Sequence, residues 1–208
     1  MHISDGVLKP EVWIPLAAVS AAAVGIAARA AKKRFDDENI AVVGVMGAYV
    51  FALQMLNFPI GREVSDHIVG AALLAIVFGP GIALLAMAAI VTIQALVFVD
   101  GGVTALGANV FDMGILSTVA AYALYRALKG AWPNAAVVVA TMGAVLAGAA
   151  GAAIWVILSG MYGVKFFGLM MGLHTLSGIV EAIVTLATVK ALQKAGLMKR
   201  ATAGANGA

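Results

Sequence analysis

The sequence predicts an all-α integral membrane protein, one bundle of about seven transmembrane helices formed by residues 1–208. Composition is the first reason. Hydrophobic residues make up 63% of the chain and charged residues 11%, too few polar groups to coat a soluble globule, which runs about half apolar and a quarter charged. The second reason is arrangement: the apolar residues fall in continuous Ala- and Leu-rich runs, most near the roughly 20 residues a helix needs to cross hydrocarbon. The third is that the runs do not alternate apolar with polar residues, so a closed barrel, the other fold lipid tolerates, is not indicated.

Residues 1–11 form an N-terminal arm, and the runs follow at about 12–31, 40–57, 64–78, 81–99, 108–127, 135–158 and 169–193. The arm, "MHISDGVLKP", has neither the basic start nor the small-residue cleavage site of a secretory signal. Bulky His2 should block removal of Met1, which is then expected to offer a free amine beside an imidazole. In the first span Ala17, Ala21 and Gly25 recur every fourth position, a stripe that lets helices approach closely, either inside the bundle or against a partner. The third span is abnormal. Between "NFPIGREVSDH" and "FGPG" stand only about a dozen apolar residues, which as helix rise roughly 18 Å against a hydrocarbon core of about 30 Å. The loop carrying Ser65, Asp66 and His67 should therefore dip into the bundle, since irregular backbone at that depth must line protein or a cavity.

The fifth span begins with the Gly-broken stretch "GGVTALGANVF", where Asn109 can satisfy freed backbone groups or bond a ligand from outside its donor set. Asp112 and Glu181 lie inside spans and should face the interior with a partner, as ionisable groups at membrane depth do. His174, a turn or so into the last span, reads as a hydrogen-bonder between packed helices, or as a group that orients a metal ligand from outside the donor set. Residues 201–208, "ATAGANGA", read as a disordered tail.

Lys and Arg set the orientation. With the N-terminus outside, the inner side collects Arg29, Lys32, Lys33, Arg34, Arg126, Lys129, Lys190, Lys194, Lys199 and Arg200, and the outer side keeps Lys9, Arg62 and Lys165. The C-terminus is then cytoplasmic and the protein is expected in the cell (cytoplasmic) membrane. A formal charge of +3 sorted in this way gives no nucleic-acid reading. Without cysteine, any metal must be held by nitrogen or oxygen.

All three histidines fall on the outer side of this topology. The Met1 amine, the His2 amide nitrogen and the His2 Nδ1 can wrap one cation in fused five- and six-membered chelate rings, leaving one place in a square plane. Amide deprotonation is promoted best by Cu(II) and Ni(II), with Co(II) feasible, and nitrogen-rich tetragonal sites suit those ions; zinc prefers a tetrahedron. The fourth donor should be another neutral imidazole, for which His67 is the best-placed candidate. Asp66 or Ser65 could orient a ligand by hydrogen bonding.

Three stretches, "MHISDGVL", "SDHIVGAALLAIVFGP" and "DGGVTALGANVFDMGI", together resemble the CbiM/NikM family, the substrate-binding membrane subunits of cobalt and nickel energy-coupling-factor transporters. The likeness runs over nearly the whole chain, although "GREVSDH" differs from the Thr- or Ser-rich loop of many relatives. The resemblance implies that the arm plugs into the bundle and that the Met1 amine, the His2 amide and imidazole, and His67 bind the metal in a plane. It also implies partners: a transmembrane coupling subunit, cytoplasmic ATPase subunits and, where one is needed, a small accessory membrane subunit on a separate polypeptide.

The chain has no GxxxxGK[ST] loop to grip nucleotide phosphates and no HExxH motif, so it reads as a transporter subunit rather than an enzyme, with Ni2+ or Co2+ as substrate and no organic cofactor. The alternative is a stand-alone carrier or channel for divalent cations built on Asp112 and Glu181.

Overall fold

The computed structural model describes residues 1–32, 37–59 and 65–198, the side chains of 37–39, 57–59 and 65 excepted. Helices dominate: α1 (Pro10–Lys32), α2 (Asp37–Gln54), α3 (Ala71–Phe78), α4 (Pro80–Ile93), α5 (Leu106–Asn109), α6 (Ser117–Leu128), α7 (Pro133–Leu158) and α8 (Lys165–Lys194). A π-helical turn, Gln94–Phe98, extends α4, and another, Val110–Leu116, fuses α5 to α6. Among the described residues five continuous stretches are thus long and apolar enough to cross a membrane: Pro10–Lys32, Pro80–Phe98, Leu106–Leu128, Pro133–Leu158 and Lys165–Lys194. Ile40–Gln54 is a shorter apolar helix. Large apolar side chains such as Ile26, Val45, Leu176 and Ile183 remain exposed along these helices, as a lipid-facing surface requires.

The third expected span departs most from the sequence reading. It does not start near residue 64. Instead, residues 57–59 and 65–67 form strands β1 (Asn57–Pro59) and β2 (Ser65–His67), paired antiparallel with Asn57 opposite His67. Helix α3 then has only eight residues, about 12 Å of rise. Its lower end is fixed by Gly79, at φ 80° and ψ 167°, followed by Pro80 at the start of α4. The left-handed glycine and the proline together stop one helix and open the next. Every residue of α3 is buried, so it is a core plug rather than a membrane crossing.

The crossing of α1 over α5 explains part of the small-residue stripe. A Cβ on Gly107 would collide with the backbone of Ala17, and Ser20 Oγ donates to the Gly107 carbonyl at 2.7 Å. Ala17 is therefore spent inside the bundle. Ala21 is exposed and Gly25 borders open space.

The arm, the β2 segment, the 99–105 loop and the end of α7 share one end of the bundle, since Gly102 N–H donates to Ile3 O at 2.9 Å and Lys9 N–H to Ser159 Oγ at 3.2 Å. Arg29, Lys32, Arg126, Lys129, Lys190 and Lys194 cap the far ends of α1, α6 and α8. Lys33, Arg34, Arg62, Lys199, Arg200 and the tail 201–208 lie outside the described residues.

Candidate metal centre

The N-terminal arm enters the bundle. Met1 is 5% exposed and Ile3 4%, and the Met1 thioether reaches helix α7 at Gly148, where an added Cβ would stand 3.2 Å from its sulfur. Extended backbone at this depth must find partners. Asn109 supplies them: its Oδ1 accepts from Ile3 N–H at 2.8 Å and its Nδ2 donates to Ile3 O at 3.0 Å. Farther out, Asp5 accepts from Val103 N–H at 3.1 Å, Thr104 N–H at 2.7 Å and the Thr104 hydroxyl at 2.5 Å. Those donors hold its carboxyl below the usual carboxylate range. Gly101 and Gly102 permit the close approach. A side chain on Gly101 would press on His2 and Asn109, and one on Gly102 would strike the backbone of Ser4 and Asp5.

The second half of the site is β2 and the residues just after it. Asp66 and His67 are each 1% exposed, so the loop does dip into the bundle. Glu181 of α8 accepts from Val69 N–H at 2.6 Å and Gly70 N–H at 2.9 Å, binding the backbone donors at the mouth of α3, whose Gly70 cap offers no side chain. Asp66 Oδ1 accepts from His67 N–H at 2.8 Å.

The arm and this stretch bring two imidazoles together. The His2 and His67 rings lie face to face, centroids 4.7 Å apart and planes 24° from parallel. His67 Nδ1 stands 2.9 Å from the Ile68 carbonyl, which can only accept, so that nitrogen carries the proton and Nε2 a lone pair. His2 Nε2 lies 3.1 Å from Gln94 Oε1. Neither His2 Nδ1 nor His67 Nε2 has a hydrogen-bond partner.

Proton loss is favoured around these donors. Burial, opposed by the Asp66 and Asp100 carboxylates, brings the Met1 amine down to about 6. Burial and the adjacent amine bring His2 to about 4, and burial first, then the amine and His2, holds His67 well below the ordinary imidazole value. The amine thus stands near enough to both rings to act on them electrostatically.

Asn109 serves the arm backbone. Asp66 orients His67 through its amide and faces His174 Nε2 at 3.5 Å, while His174 Nδ1 bonds the Met170 carbonyl at 2.9 Å within its own helix. The Ser65 side chain lies outside the described residues. Asp112 is bound by Trp155 Nε1 at 2.8 Å, and both Glu181 oxygens serve backbone. Among the described residues no three His, Cys, Asp or Glu side chains stand together to hold a metal. A cavity of about 170 Å3 beside Met1 and His2, lined also by Ser4, Tyr162, Phe166 and Met170, borders the donors.

Asp5, Gln54, Gln94, Asp100 and Gly102 were not singled out from the sequence. Two amides inside apolar runs are a signal for the glutamines, because a polar group at that depth must have a partner.

Comparison with known proteins shows the family and the fold. The solved structure of a truncated transition metal transporter superposes with a TM-score of 0.86 at 31% identity, covering 93% of this chain and 99% of that one. A protein of Haloquadratum walsbyi named as a metal transport protein is 39% identical over 192 residues, 89% of this chain and 86% of its own length. One of Archaeoglobus fulgidus, named as a fused nickel transport protein NikMN, is 39% identical over 195 residues; the match takes in 91% of this chain but 64% of that longer one. The family model described as the cobalt uptake substrate-specific transmembrane region matches residues 2–197, and the chain is accordingly a multi-pass membrane transport protein of the CbiM family.

Proposed function

We propose that this chain is the substrate-capture subunit of an ATP-driven energy-coupling-factor importer for Ni2+ or Co2+. The observation that carries the reading is the meeting of the buried N-terminal residue with two buried imidazoles, His2 and His67, each ring with one nitrogen that has no hydrogen-bond partner. The Met1 amine, the His2 amide nitrogen, His2 Nδ1 and His67 Nε2 are the four donors. Asp66 and Asp100 flank them and offset the ion's charge, while the deprotonated amide supplies a further negative charge. Four nitrogen donors in a plane favour late divalent ions over zinc or magnesium.

Met1 lies at the end of the bundle away from most Lys and Arg, so the ion is taken from the outer face under the positive-inside rule. Release inward is driven by docking to a transmembrane coupling subunit that carries the ATPases. Ala21 and Gly25, unoccupied on the outer face of α1, are the docking candidates.

Titration calorimetry of the untagged protein with NiCl2 and CoCl2, beside a form with one residue added before Met1, tests the reading. The added residue displaces the amine and opens a chelate ring, and affinity should fall by more than the roughly hundredfold that outer contacts of a metal site are worth. Equal affinity of the two forms would remove the amine from the donor set.

A further inference from the structure

Gln54 closes α2 and Gln94 opens the π-helical turn after α4, and both side chains are fully buried. They join end to end. Gln54 Nε2 stands 2.5 Å from the Val69 carbonyl, Gln94 Nε2 stands 2.8 Å from Gln54 Oε1, and Gln94 Oε1 stands 3.1 Å from His2 Nε2. A backbone carbonyl can only accept, so the Gln54 amide must turn its NH2 toward Val69 and its oxygen toward Gln94. Gln94 must then answer with its NH2 and leave its own oxygen for His2. His2 is left one way to complete the chain, a proton on Nε2 and a lone pair on Nδ1.

A competing bond makes that choice consequential. Asp100 Oδ1 lies 3.4 Å from His2 Nδ1. Were the imidazole free to choose, a proton on Nδ1 facing this carboxylate would be the favoured form, and the nitrogen that closes the six-membered chelate ring would be blocked. We infer that Gln54 and Gln94 are positioning residues that relay the polarity of the Val69 carbonyl to His2 and hold its Nδ1 unprotonated, ready for a late divalent cation. The stretch just past His67 thereby sets both rings: Ile68 O fixes His67 directly, and Val69 O fixes His2 through two amides. The inference rests on the capture reading above and adds to it the reason that His2 presents the correct nitrogen before any ion arrives.

Only three histidines occur in the chain, so nitrogen-15 NMR of histidine-labelled protein, without metal, can resolve each ring, with a His2→Ala sample to assign the signal. The wild type should show His2 protonated at Nε2. Gln94→Leu should shift its population toward protonation at Nδ1 and weaken NiCl2 binding by about 10- to 100-fold. Gln54→Leu, which does not touch His2, should move the same signal in the same direction. Gln94→Glu keeps an acceptor facing His2 and should restore the Nε2-protonated form. A merely structural role for the glutamines predicts no movement of the tautomer signal. A wild type protonated at Nδ1, or a Gln54 or Gln94 leucine variant whose His2 signal matches the wild type, overturns the relay whatever becomes of the fold of the other variant. Nickel binding unaffected by His2→Ala would instead overturn the capture reading, with the tautomer measurement standing on its own.

Discussion

The two segments that meet at the candidate centre are held by different means. Residues 66–70 are fixed from within: Glu181 binds two of their N–H groups, Gln54 binds the Val69 carbonyl, and fully buried α3 continues directly from them. The arm is fixed partly from outside. Its innermost clasp, Asn109 to Ile3, is buried, but Asp5 and its partners on the 103–104 backbone are exposed. Hydrogen bonds that water can replace are worth less than those it cannot reach. One set of proposed donors therefore belongs to a rigid socket and the other to a plug, and local opening should begin at the plug. A site that must hold an ion and later give it up is served by that inequality.

Breaking the socket should have the largest consequence. Glu181→Ala leaves two buried N–H groups without an acceptor, at roughly 1–3 kcal/mol each. Such a loss is a large share of a typical domain's stability, so the variant should show a much lower melting temperature in detergent or fail to accumulate. Glu181→Gln, which keeps one acceptor oxygen, should fall between it and the parent. If Glu181→Ala melts with the parent, the socket does not depend on α8 and the contrast with the arm disappears.

Breaking the plug should spare the fold. Gly102→Ala puts a methyl group against the Ser4 and Asp5 backbone, which cannot yield as a flexible side chain would. The arm must lift or the 99–105 loop must move away. The melting temperature should stay close to that of the parent while NiCl2 affinity drops on the order of 10- to 100-fold, as for other groups one contact removed from a metal. Loss of both together would mean that the arm is as much a part of the scaffold as residues 66–70.

The sequence reading found the plug and the histidine of the socket because charge or imidazole stands out against apolar surroundings. Met1, His2, Asp66 and His67 come together where the short third span and the unusual N-terminus pointed. It found Asn109 but not the outer half of the clasp. Asp5 meets Thr104 across 99 residues and Gly102 meets the arm through a loop whose path only tertiary packing decides. Gln54 and Gln94 sit within apolar runs, which says that each needs a partner but not that they pair with each other and with His2. The length of α3 was overestimated because apolar composition does not say whether a helix crosses lipid or ends inside protein; the Gly79–Pro80 step ends it. The small-residue stripe was ambiguous for the same reason, and Ala17 proves to face the bundle while Ala21 faces outward.

The gentlest way to sharpen the contrast is to titrate the plug without changing a residue. Metal binding that displaces protons strengthens as pH rises, by a factor of about ten per pH unit for each proton released. The His2 amide gives up one proton on binding at any pH used. The Met1 amine adds a second only where it is protonated beforehand, below about 6. His2 adds another only below about 4. Plotted against pH, the logarithm of the NiCl2 association constant should therefore climb with a slope near two between about 4 and 6 and near one between about 6 and 8. An amine that spends its time in solvent keeps its ordinary value near 8, and the bend would move there. A bend at 6 in the parent that shifts toward 8 in Gly102→Ala would tie the seating of the arm to the state of its amine, whereas a slope of one below pH 6 would mean that amine or amide stays off the metal.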